Sequence, residues 1–227
     1  MRTLAILPVK SFGAAKQRLA QALAAGAREA LAQAMVSDVL TSLRRTPGLN
    51  GIVVVTADRT AEAAALGGGV RVLRDTAQTG QSEAALIGIR HALDEGCERV
   101  MLVPGDTPLV QPGELAGLVS GGRGVVIVPD RHGTGTNVLV LSPPDAIEPS
   151  FGPGSFERHV AAAEAAGVPH RVDEVRTLAL DVDTPADLAE LAAELEVRRG
   201  QAPSTRGALR QLDRAGGGGA RVAQAST

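Results

Sequence analysis

Val100-Met-Leu-Val-Pro104-Gly105-Asp106 is the stretch on which the fold turns. An unbroken apolar run of this length suits a strand buried on both faces, and such strands belong to parallel sheets covered by helices on each side. The Pro-Gly that follows stops the strand, which leaves the carboxylate of Asp106 at its C-terminal edge. Open α/β sheets bind their ligands along that edge. An aspartate that only serves a turn is the other reading of the same residues.

Comparable runs occur at Thr3–Val9, Gly51–Thr56, Val70–Leu73, Gly124–Val128 and Asn137–Leu141, beside Arg99–Val103 itself, and a late strand is expected near Thr177–Leu180. Ala/Leu-rich patterns predict helices over Ala27–Arg44, Arg59–Leu66, Ser82–Glu95, Gly113–Val119, Ser155–Ala166 and Pro185–Glu196. This alternation predicts an α/β fold with a mainly parallel central sheet, built as one domain over residues 1–196. Residues 197–227 bring arginines and a Gly216–Gly219 run with little apolar periodicity, so this tail is expected to be disordered or loosely attached.

Composition narrows the function classes. A chain of 227 residues with 44% hydrophobic side chains buries a substantial core, and with three Phe and no Tyr or Trp that core is aliphatic. A formal charge of −2 leaves no electrostatic footprint for nucleic acid, and aromatic platforms for single strands are missing. Cys97 has no partner for an internal disulfide, which suits a reducing compartment. The apolar run before Pro8 is short for a signal peptide and nothing approaches a membrane span, so a cytoplasmic protein without a membrane partner is expected.

Of the 23 basic residues only Lys10 and Lys16 are lysines, and both lie in the loop Leu7-Pro-Val-Lys10-Ser-Phe-Gly13-Ala-Ala-Lys16-Gln-Arg18-Leu19. An ammonium is a compact point charge suited to phosphate oxygens, and three cations among small residues can wrap a polyphosphate. A solvated basic loop is the plainer alternative. Downstream, Leu178-Ala-Leu-Asp181-Val-Asp183-Thr-Pro-Ala-Asp187 sets two carboxylates two residues apart before a helix capped by Thr184, Pro185 and Asp187. In an extended strand Asp181 and Asp183 share a face. Their repulsion is relieved either by solvation or by a hard divalent cation such as Mg²⁺, around which Asp106 can join them.

Other signatures are missing. No Gly-x-Gly-x-x-Gly follows the first strand, no P-loop or Gly-x-Ser-x-Gly occurs, and His91, His132, His159 and His170 lack metal-ligand spacing. Two segments have the look of anion binders. Asp130–Asn137 offers backbone N–H groups and hydroxyls, and Phe151–His159 leads into a helix with Ser155 as its N-cap. A hairpin turn and an ordinary cap are the plainer readings of each segment taken alone.

With Leu-Pro-Val-Lys10, Pro-Gly-Asp106, Gly133-Thr-Gly-Thr-Asn137, Phe-Gly-Pro-Gly-Ser155 and Leu-Asp181-Val-Asp183-Thr-Pro in this order, residues 1–195 resemble the guanylyltransferases of deazaflavin coenzyme F(420) biosynthesis. The resemblance implies a Rossmann-like fold of nucleotide-diphospho-sugar transferase type, related to the molybdenum-cofactor nucleotidyltransferases. It implies transfer of GMP from GTP to phosphoenolpyruvate or 2-phospho-L-lactate, with pyrophosphate released. It further implies that Asp106, Asp181 and Asp183 hold Mg²⁺, and that Thr136, Gly152 and Ser155 bind the phosphorylated three-carbon acid. Lys10 and Lys16 would act on the GTP phosphates together with Asp106, nucleotide contacts would extend to Arg18, Gln81 and Ser82, and the segment Asp75–Ser82 would meet the base. A nucleotidyltransferase for a molybdopterin or sugar phosphate, and a nucleotide-binding module without turnover, are the competing expectations.

Overall fold

The computed structural model describes residues 1–14 and 16–216. Seven strands form one sheet: β1 (Thr3–Val9), β2 (Gly51–Thr56), β3 (Arg71–Arg74), β4 (Arg99–Leu102), β5 (Gly124–Pro129), β6 (Thr136–Ser142) and β7 (His170–Val172), in the order β3-β2-β1-β4-β6-β5-β7. Only β6 runs against its neighbours; the β1–β2, β1–β4, β2–β3 and β5–β7 pairs are parallel. The expected α/β architecture with a mainly parallel sheet is the observed one.

Side-chain alternation along β1 explains its two-sided burial. Ala5, Leu7 and Val9 pack with α1 (Ala25–Arg44), α2 (Arg59–Gly67) and α4 (Pro112–Val119) on one face. Leu4 and Ile6 face α3 (Gln81–Asp94) and α5 (Ser155–Ala165) on the other. Glycine at position 88 permits that second contact, because a Cβ there would lie 2.4 Å from Ile6 Cγ2.

Two expectations fail near the C-terminus. Thr177–Leu180 is not a strand: Arg176–Ala179 forms a single helical turn, α6, whose Leu178 enters the core. A short apolar run fits a buried helical turn as well as a strand. The seventh strand is instead β7, an exposed edge whose residues carry no inward-facing periodicity. The tail departs further. After α7 (Pro185–Val197), residues 203–216 form α8, which packs along α1; the remainder of the tail, 217–227, lies outside the described residues. The cap of α8 comes from far away in sequence. Asp38 on α1, buried, accepts hydrogen bonds from Ser204 N–H (3.1 Å) and Thr205 N–H (2.7 Å). Ala202 and Leu209 then join Leu19, Leu31, Met35, Leu109, Leu180, Val182, Leu191 and Leu195 in a third apolar cluster.

Candidate active site

The loops after β1, β2, β3 and β4 and the start of β6 border a cleft of about 460 Å³ on one edge of the sheet. Lys10, Lys16, Gln81, Asp106, Thr136, Asp181 and Asp183 all line it, so the structure brings together most of the residues singled out in the sequence. Arg18 lies exposed in a 3-10 turn, and Ser82, Gly152 and Ser155 do not border the cleft.

Lys16 is the centre of the arrangement. Its Nζ bonds Asp183 Oδ1 at 2.8 Å and Asp106 Oδ2 at 2.5 Å, and its side chain is only 8% exposed. Burial works against its charge, but the two carboxylates outweigh burial and raise its pKa above the usual lysine range. The backbone at Lys16 is left-handed (φ 55°, ψ 39°), a conformation unfavourable for a residue with a Cβ. The two ion pairs oppose that cost.

Asp181 and Asp183 do not sit on a strand, yet they share one side of the chain. Val182 between them is buried in the third cluster, and its N–H bonds Asp106 O at 3.2 Å. The carbonyl side of the β4 loop is thereby tied to the acidic pair. Gly105 serves the same approach, since a Cβ there would meet Val36 Cγ2 at 2.8 Å. Burial, and then the charge of Asp106, pushes the Asp181 carboxyl up to about 6, against a hydrogen bond from Asn137. Asp106 Oδ1 is buried without a partner.

Among the described residues no group of carboxylate, histidine and cysteine side chains stands ready to hold a metal ion, and the Lys16 ammonium lies between Asp106 and Asp183. The donor chemistry nevertheless fits a hard cation: oxygen ligands alone, one of them orphaned and another whose charge is disfavoured by burial and by Asp106.

The two expected anion segments are satisfied internally. Asp130 accepts from the N–H groups of His132, Thr134 and Gly135 at 2.9–3.0 Å, so the loop's donors are taken. At α5 the N–H of Ser155 bonds Gly152 O and that of Phe156 bonds Thr134 O. Ser155 Oγ accepts from Thr136 N–H at 2.8 Å and so positions Thr136, which does face the cleft.

Sequence reading gave no individual role to three residues at this edge. His159, fully buried, accepts from Ser150 N–H at Nε2 (2.9 Å), so its Nδ1 carries the proton and donates to Thr136 Oγ1 (2.9 Å). Burial, with help from Arg158, pushes this imidazole down to about 4. Asp58 caps α2 through Thr60 and Ala61, and with its other oxygen holds Phe12 N–H (2.9 Å) and Ser11 Oγ (3.2 Å). It thus fixes the lysine loop to the end of β2. Asp75, just past β3, lines the cleft. The rule that found Asp106, an acid immediately after a parallel strand, finds Asp58 and Asp75 too.

Residues 3–213 match the family described as guanylyl transferase CofC like. The chain belongs to this family. Its relatives include a phosphoenolpyruvate guanylyltransferase of Conexibacter woesei, 50% identical over 93% of this chain and 97% of that one. Another of the same name, from Sphaerobacter thermophilus, is 40% identical over 87% of this chain and 96% of the relative. Among solved structures, a chain of nucleotide-diphospho-sugar transferase type from Desulfovibrio desulfuricans superposes with a TM-score of 0.76 at 21% identity, covering 94% of this chain and 96% of that one. A nucleotidyl transferase from Methanothermobacter gives 0.63 at 20% identity, over 87% and 99%. The fold of this CofC-like protein is therefore that of the nucleotide-diphospho-sugar transferases. No helix among its described residues is long and apolar enough to cross a membrane.

Proposed function

We propose that this protein transfers GMP from GTP to phosphoenolpyruvate, releasing pyrophosphate. The observation that carries the reading is the joining of Lys16 to Asp106 and Asp183 at the sheet edge, in a chain 50% identical to a relative named for this reaction. The acceptor's phosphate is a monoester whose second pKa lies near 6, so it arrives as an anionic nucleophile. One of its oxygens bonds the α-phosphorus of GTP while the bond from that phosphorus to the β-bridging oxygen breaks. No side-chain nucleophile or base is needed.

The task left to the protein is alignment and charge. Lys10, which pairs with no carboxylate among the described residues, and Lys16 offer ammonium groups to the triphosphate. Asp106, Asp181 and Asp183 would hold Mg²⁺, which when bound draws charge from the transferring and leaving phosphates. Thr136 and Asn137 line the cleft and would meet the acceptor there. Ser155 and His159 hold Thr136 in place.

The test is incubation with GTP and Mg²⁺ plus phosphoenolpyruvate, 2-phospholactate or 3-phosphoglycerate, with pyrophosphate measured and the product weighed by mass spectrometry. Phosphoenolpyruvate is the expected acceptor; silence with all three overturns the proposal. Asp106→Ala and Asp183→Ala should each lower turnover by at least about 100-fold with the fold intact.

A further inference from the structure

The cleft has a second acidic wall that phosphate chemistry does not use. Asp75 follows β3, and the sheet order β3-β2-β1-β4 sets it three strands away from the Asp106 loop. At about 4.8 Å per strand the two sites stand roughly 14 Å apart. That separation matches the reach of a nucleotide from its phosphates to its base. It also exceeds the screening length of about 8 Å at physiological salt, which weakens the repulsion between a carboxylate there and the triphosphate.

Asp75 is 8% exposed and its Oδ1 accepts from Gln78 N–H at 2.9 Å, closing a turn that leads through Gly80 into α3. Among the described residues Oδ2 has no hydrogen-bond partner. Gln78, Gly80 and Gln81 line the cleft beside it. An ionised carboxylate only accepts hydrogen bonds. Guanine is the nucleobase whose edge presents two adjacent donors, the ring N1–H and the 2-amino group, whereas adenine presents an acceptor at N1.

Resting on the guanylyltransferase reading, we infer that Asp75 is the specificity-determining residue for the donor nucleotide, its carboxylate receiving N1–H and the 2-amino group of guanine. Asp75→Asn is the informative change. The amide oxygen still accepts from Gln78 N–H, so the turn survives, but the NH₂ now confronts guanine's donors. Xanthine, with a carbonyl at C2, suits that amide instead.

The experiment is calorimetric binding of GTP, ITP and XTP, each with Mg²⁺, to wild type, Asp75→Asn and Asp75→Ala, with circular dichroism confirming the fold. Wild type should prefer GTP over ITP and XTP by at least about tenfold. Asp75→Asn should reverse the GTP/XTP order, and Asp75→Ala should bring the three affinities to within a few fold. Equal wild-type affinity for GTP and ITP, or a GTP/XTP ratio unmoved by both substitutions, overturns the assignment of Asp75. A wild type that binds none of the three nucleotides defeats the guanylyltransferase reading itself, a distinct outcome.

Discussion

Lys16 shows how much one side chain carries. Its removal leaves Asp106 and Asp183 facing each other without the ammonium between them. Lys16→Met should therefore lower turnover by roughly 100-fold or more, read in steady-state assays, with the far-UV spectrum unchanged. His159 makes a prediction of a different kind. Native His159 stays neutral down to about pH 4, while in the unfolded chain it protonates near 6.5. Its contribution to stability is full above pH 6.5 and is lost as the pH falls toward 4. The slope reaches up to about 1.4 kcal/mol per pH unit. Urea unfolding across that range should show this slope in wild type and a flatter one in His159→Gln. At this scale the sequence was read at Asp106 and Lys10, an acid and a lysine that follow strands, while Asp58, placed in the same way after β2, went unread. His159 was not legible, because its importance comes from Thr136 and Ser150, which only folding sets beside it.

Among the elements, α8 is the instructive one. Its N-terminal donors are capped by Asp38, 166 positions before Ser204, so no neighbouring side-chain cap announces the helix and only Pro203 at its first position marks the start. Losing this cap should cost about 1–2 kcal/mol in Asp38→Ala. Amide exchange should show α8 opening before α1. Gly88 tests the opposite face. Gly88→Ala drives a methyl into Ile6 and should destabilise by about 1–3 kcal/mol in denaturant titration, with α3 displaced from β1. The same physics separates the readable elements from the misread ones. Strands such as β1, buried on both sides, advertise themselves through continuous apolar residues. The edge strand β7 buries none of its residues, and α6 is too short for its 3.6-residue period to register.

For the whole molecule, charge along the sheet edge governs ligand binding. The cleft is lined by the carboxylates of Asp75, Asp106, Asp181 and Asp183 against the ammonium groups of Lys10 and Lys16. A triphosphate entering unaided meets an excess of its own sign. GTP with Mg²⁺ should raise the melting temperature by roughly 5–10 °C at saturating concentration, and EDTA should remove most of that rise in a thermal-shift assay. The architecture was legible because alternating elements determine an open parallel sheet and its ligand-bearing edge. The placing of Lys16 between two acids was not, since it depends on loops whose paths are set by the third apolar cluster.

That cluster has a consequence for biosynthesis. Leu31 and Met35 leave the ribosome well before Ala202 and Leu209. Until they arrive, the greasy underside of Val182 lacks part of its cover, and the acidic doublet it supports has no fixed seat. A growing polypeptide thus seats that doublet fully only once Ala202 and Leu209 have been added and folded back onto the first half of the chain.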